Sequence, residues 1–192
     1  MKTEHSLPKN YQLYAEIDLL KNKKLAILLN ISSLVVAVLM IIPAMHFVGL
    51  GALLNVEAAW QLLVKLFALL ALSLAYIALH EAVHGLAMKL CGTKRVKYGY
   101  SVVYAYAGSE DYYPKGKYIF IALAPVILWG IVLALAALLV PRSWFWVVYF
   151  VQITNISGAV GDAYVTVKML KMPKNILVQD TGTAMSIFAE KL

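Results

Sequence analysis

Long apolar stretches alternate with short polar, lysine-rich ones along this chain. Four apolar stretches stand out, at residues 25–50, 58–88, 118–140 and 144–167. A helix needs roughly 20 residues to cross a hydrocarbon layer of about 30 Å, and each stretch reaches that length. The pattern predicts an all-α integral membrane protein of about four transmembrane helices, organised as a single membrane domain over residues 1–192. Pro43 is expected to end or kink the first helix. Pro125 is expected to kink the third and so to let it part from the bundle as a gate. Residues 1–24 and 168–192 are read as polar tails. Between the second and third helices the period changes. Val96, Tyr98, Tyr100, Val102, Tyr104 and Tyr106 alternate with mostly small residues, which predicts a strand or hairpin over residues 96–107 with its large side chains on one face. Gly108, Ser109, Glu110 and Asp111 read as the turn that follows. Residues 176–188 read as a short hairpin around Gly182. A lone hairpin is marginal in water, so it is expected to pair with the 96–107 strand.

Composition narrows the class. The chain is 62% hydrophobic and 14% charged, which excludes a disordered chain and an ordinary water-soluble domain. Cys91 stands alone, so an internal disulfide and a cysteine-based metal site are excluded as well. The formal net charge of +7 raises the question of nucleic acid. Its distribution argues against that partner, because the basic residues flank apolar runs. Lys2, Lys9, Lys21, Lys23 and Lys24 precede the first run. Lys89, Lys94, Arg95, Lys97, Lys115 and Lys117 separate the second from the third. Lys168, Lys171, Lys174 and Lys191 follow the fourth. The other two loops carry only Glu57 and Arg142. By the positive-inside rule both termini are cytoplasmic, in what is expected to be a bacterial cell membrane, and the second and fourth helices run parallel. The 96–107 element then lies at the cytoplasmic side. Lys65, near the start of the second run, is expected to snorkel outward. No signal-peptide cleavage is expected before the first run.

The second run contains His80-Glu81-Ala82-Val83-His84. Residues four apart share a helix face, so both imidazoles can address one ion. A catalytic zinc site takes three protein ligands and keeps one position for water, and a carboxylate between the histidines is suited to take a proton from that water. Three polar side chains in five residues of an apolar helix need partners. The alternative is a helix end where His80, Glu81 and His84 bond to neighbours or to interfacial water.

A third ligand is required. His46 lies toward the opposite end of the first helix and His5 lies in the tail. Asp162 is the only ionisable side chain within the fourth run, six residues before Lys168, while His84 lies five residues before Lys89. On parallel helices both therefore sit roughly 7–9 Å from the cytoplasmic boundary. The alternative for Asp162 is a carboxylate paired with a lysine at the membrane edge. Glu110 and Asp111 are weaker candidate ligands. Asn155, seven residues before Asp162, falls on the same stripe, where it either orients substrate or stabilises an oxyanion, or else makes an inter-helix hydrogen bond. Gly158 and Gly161 between them are expected to permit close helix approach.

With these residues the chain resembles the site-2 proteases, which carry HExxH in one transmembrane helix and an aspartate in a later, parallel one, often within Asn-x-x-Pro…Asp-Gly. The run here is Asn155-Ile-Ser-Gly158-Ala-Val-Gly161-Asp162-Ala163, with Gly158 in place of the proline and Ala163 in place of the glycine. LHEAVHG at residues 79–85, LAP at Leu123 to Pro125 and Gly161-Asp162 are similar to a family of small bacterial membrane proteins described as zincin peptidases of unknown function. The resemblance, over residues 60–190, implies Zn2+ bound by His80, His84 and Asp162, with Glu81 catalytic. It implies an intramembrane metalloprotease whose partners are the bilayer and a membrane protein or peptide substrate. The resemblance also supports the β-element. Tyr98, Tyr100 and Tyr104 on it are candidates for holding an unwound substrate by strand addition, or else for anchoring in the headgroup layer. The rival readings are a zinc-binding, non-catalytic regulator of the same fold and a metal transporter. The second suffers from the lack of a polar path through the outer half of the helices.

Overall fold

The computed structural model describes residues 2–18, 21–100 and 104–191. The elements run in the order β1 (Tyr11–Ile17), α1 (Lys23–Phe47), α2 (Gly51–Leu54), α3 (Ala59–Leu90), β2 (Lys97–Tyr100), β3 (Ala105–Gly108), β4 (Tyr112–Pro114), α4 (Lys115–Leu139), a 3-10 turn (Arg142–Trp144), α5 (Phe145–Gly158), α6 (Val160–Leu170), β5 (Ile176–Asp180) and β6 (Met185–Glu190). Three of the helices, α1, α3 and α4, are long and apolar enough to cross a membrane. Large apolar side chains along them, such as Leu34, Phe67 and Leu138, are exposed, which an aqueous surface would not favour and lipid would.

The predicted fourth span is not one helix. It divides at Ala159 into α5 of 14 residues and α6 of 11, each below the length that crosses a bilayer. Gly158 and Gly161 flank the break, and glycine costs a helix interior about 1 kcal/mol relative to alanine. A Cβ at either glycine would meet no other described atom within 4 Å, so these glycines do not serve close helix approach. Pro43 does not end the first helix, which runs on to Phe47, and Pro125 likewise lies inside α4.

The chain forms two compact units. One comprises Met1–Leu28, His80–Pro125 and Gly161–Leu192; the other comprises Leu29–Leu79 and Val126–Val160. In the first unit a four-stranded antiparallel sheet has the order β1-β6-β5-β4. Its buried Ile176, Val178, Met185 and Ile187 pack in one core with Ala87 and Met88 of α3, Tyr118 and Ile121 of α4, and Val165 and Met169 of α6. The residues read as an N-terminal tail supply β1, and Glu4 adds a bridge to Tyr112. Lys117 and Lys115, at the start of α4, donate to the carbonyls of Cys91 and of Leu170 and Met172. They cap the C-terminal ends of α3 and α6, where a cation is favoured.

The C-terminal hairpin forms as predicted, but its partners are β1 and β4, not β2 or β3. The expected pairing fails because each edge of the hairpin is already taken, by β1 on one side and β4 on the other. The 96–107 segment folds back on itself as the β2–β3 hairpin; Val102, and with it residues 101–103, lies outside the described residues. The single tyrosine face is also corrected. The register pairs Tyr98 with Ala107 and Gly99 with Tyr106, so even positions on β2 share a face with odd positions on β3. Tyr98 and Tyr100 therefore face one way and Tyr106 the other, because side chains alternate and cross-strand partners share a face. Tyr104 lies outside the strands.

In the second unit, Lys65 lies near the start of α3. It is 5% exposed, and its ammonium donates to the Leu53 carbonyl at 3.0 Å, at the end of α2. Polar residues there bond across helices. Tyr76 donates to Asn155, Asn155 donates to the Val126 carbonyl, and Gln152 donates to the Gly130 carbonyl.

Candidate metal centre

The site is built entirely within the first unit. His80 and His84 lie one turn apart on α3, so both rings leave the same face. Asp162 lies in the first turn of α6, a turn that exists because the chain breaks at Ala159. The partial positive charge at a helix N-terminus favours a carboxylate in that turn. Nitrogen and oxygen atoms of the three residues lie within 4.8 Å of one another. His80 Nε2 is 3.5 Å from one Asp162 oxygen and His84 Nε2 is 3.6 Å from the other. These separations are long for a hydrogen bond. They fit ligands sharing one tetrahedral ion, since atoms about 2.0–2.2 Å from zinc stand about 3.3–3.6 Å apart. Two imidazoles and a carboxylate are also a donor set that zinc accepts. The imidazole side chains are 12% exposed and the carboxylate 23%, which leaves the site reachable.

Supporting contacts come from three further elements. His84 Nδ1 lies 2.9 Å from the Ile121 carbonyl of α4, which turns Nε2 toward Asp162. The Glu81 carboxylate accepts the backbone N–H of Ala107 on β3. Two residues on, and thus on the same strand edge, the N–H of Ser109 donates to the Asp180 carbonyl. Tyr98 of β2 rests on Gly85, whose lack of a Cβ leaves room for the tyrosine's hydroxyl end beside the histidine helix.

Asp180, at the end of β5, accepts from the Tyr118 hydroxyl and from the Gly182 N–H. Burial raises its carboxyl above the ordinary value, and those two hydrogen bonds oppose the rise. Tyr118, Asp180 and the Ile121 carbonyl were not among the residues singled out from the sequence. Their signal was weak: a tyrosine at a helix start, an aspartate before a glycine turn, and a backbone atom.

The other expected residues fall elsewhere. Asn155 belongs to the second unit and is fully buried, with its amide engaged by Tyr76, Val126 and Gln152. The broken helix between it and Asp162 interrupts the stripe that the spacing implied. Tyr100 is 85% exposed. Glu110 pairs with Lys97 and Asp111 with His5, so both alternative acidic ligands are otherwise occupied.

Residues 73–177 match a family described as "putative zincin peptidase". A protein of Pyrococcus woesei, named as an uncharacterized 24.7 kDa protein in gap 5′ region, is 35% identical over 119 residues. The match covers 59% of this chain and 51% of that protein, so the chain spans about half the length of this relative. No solved structure matches the chain.

Proposed function

Because the chain belongs to the family described as "putative zincin peptidase", we propose that it is a zinc metallopeptidase, of the site-2 protease kind, that hydrolyses peptide bonds of membrane-embedded substrates. The observation that carries this reading is the convergence of His80, His84 and Asp162 beside Glu81. Those three residues would hold the metal. When bound, zinc supplies a Lewis acid for the scissile carbonyl and lowers the pKa of water toward about 7.

The remaining steps belong to the protein. Glu81 takes the proton of the attacking water and returns it to the leaving amine. The Ala107 N–H holds one side of the Glu81 carboxylate, so the acceptor oxygen is aimed before water arrives. Substrate must be unwound, since the carbonyls of a helix are already hydrogen-bonded. β2 has β3 on one side and no other described strand on the other, so its open edge offers the pairing partner. Tyr98 seats that edge on α3, and Tyr100 and Tyr104 flank the incoming chain. Asn155 takes the structural role, joining helices rather than touching substrate. The lysine distribution supports an orientation with both termini cytoplasmic, so that cleavage occurs near the inner face.

Metal removal tests the proposal. Purified protein in lipid nanodiscs is expected to cleave a single-span peptide with a helix-destabilised segment, to stop when stripped with 1,10-phenanthroline, and to recover on adding zinc. Cleavage that survives complete metal removal would refute the mechanism.

A further inference from the structure

Pro125 is fully buried in the interior of α4. A proline has no backbone N–H, so the carbonyl four residues earlier loses its helical donor. In this helix that carbonyl belongs to Ile121, itself a buried residue. A buried carbonyl without a partner costs about 1–3 kcal/mol. The partner here is His84, whose Nδ1 lies 2.9 Å away. A carbonyl oxygen only accepts, so the hydrogen must reside on Nδ1. In the neutral ring this leaves the lone pair on Nε2, the nitrogen that faces Asp162. A free histidine prefers the opposite tautomer, with its hydrogen on Nε2, which has no lone pair there to give a metal.

We propose that Pro125 is a positioning residue for the metal centre. By withholding a helical hydrogen bond from Ile121, it reserves that carbonyl for His84 and fixes both the tautomer and the direction of the ring. The role so assigned to Pro125 is a chemical one. An alanine at this place would restore an N–H aimed at the same oxygen. The two donors would share it, the His84 bond would weaken, and the tautomer with hydrogen on Nε2 would gain population. The identity of the ion rests on the function proposed above; the tautomer does not.

The test uses the full chain in nanodiscs with 15N-labelled histidine, first without metal and above the imidazole titration. Wild type is expected to show His84 with its hydrogen on Nδ1. Pro125→Ala is expected to show a mixture of tautomers and to bind zinc about 10–100-fold more weakly, the usual cost of losing a partner that orients a metal ligand. Pro43→Ala, within α1, is expected to change neither. An α-hydroxy acid placed at position 125 has neither the proline ring nor an N–H, and is expected to restore the wild-type tautomer and affinity. Unchanged affinity and tautomer in Pro125→Ala would overturn the inference. So would an α-hydroxy-acid variant that behaves like alanine, since the ring and not the missing donor would then matter. Should Pro125→Ala fail to fold, the metal-free wild-type spectrum decides, and a hydrogen on Nε2 of His84 sinks the idea. A wild type that shows the Nδ1 hydrogen but takes up no zinc would refute the zinc reading and leave the positioning of His84 by Pro125 standing.

Discussion

Glu81→Gln is expected to reduce peptide hydrolysis by about 10²–10⁴-fold while leaving zinc content at the wild-type level. The substitution keeps the size of the side chain, and the amide oxygen still accepts the Ala107 N–H. What it removes is the ability to take a proton. His80, His84 and Asp162 are untouched, so the metal remains. This pairing of outcomes separates an enzyme from a zinc-binding regulator of the same fold, for which the carboxylate is dispensable. Metal analysis beside a cleavage assay on the same preparation reads both quantities. Undiminished cleavage in Glu81→Gln would remove Glu81 from the chemistry.

Asp162→Ala is expected to weaken zinc binding by more than about 100-fold, beyond the loss that follows from disturbing a supporting hydrogen bond. Two imidazoles would remain to hold the ion, one ligand short of the three that catalytic zinc sites use. The variant is expected to fold. Asp162 contributes to helix α6 chiefly through its charge in the first turn, worth about 0.3–1 kcal/mol. Competition against a zinc-chelating dye, with circular dichroism as the check on folding, measures the effect. Zinc affinity equal to wild type in a folded Asp162→Ala protein would place the third ligand elsewhere.

The histidine pair was legible in the sequence because its geometry is local. A spacing of four on one long helix puts two rings on one face whatever the rest of the chain does. Asp162 was legible for a different reason, as a carboxylate in an apolar run at a depth similar to that of His84. What the sequence did not disclose is that α6 begins at Val160, which makes Asp162 a helix N-terminal residue. A hydrophobic run of sufficient length reads as one span, and the cost of two glycines near a break is small beside the apolar signal.

The sheet was harder to read because strand partners are not local. The segment that forms β1 reads as part of a polar tail, and nothing in its residues names β6 as the neighbour. The β2–β3 hairpin shows the same limit at shorter range. Alternation was correct within each strand, but the register across the turn, which decides whether Tyr106 joins Tyr98 or opposes it, depends on the turn and not on the pattern. Pro125 is the clearest case. A proline within an apolar helix suggests a bend, and only the position of His84 beside the Ile121 carbonyl reveals what the missing N–H supplies.

The central claim is that His80, His84 and Asp162 share one zinc ion. Zinc-edge X-ray absorption on the purified full-length protein tests it most directly. The account predicts about one zinc per chain, with scattering from two imidazoles and a carboxylate oxygen at about 2.0–2.2 Å and no sulfur. A sulfur ligand at about 2.3 Å, or a bound zinc lacking the imidazole pair, would contradict it.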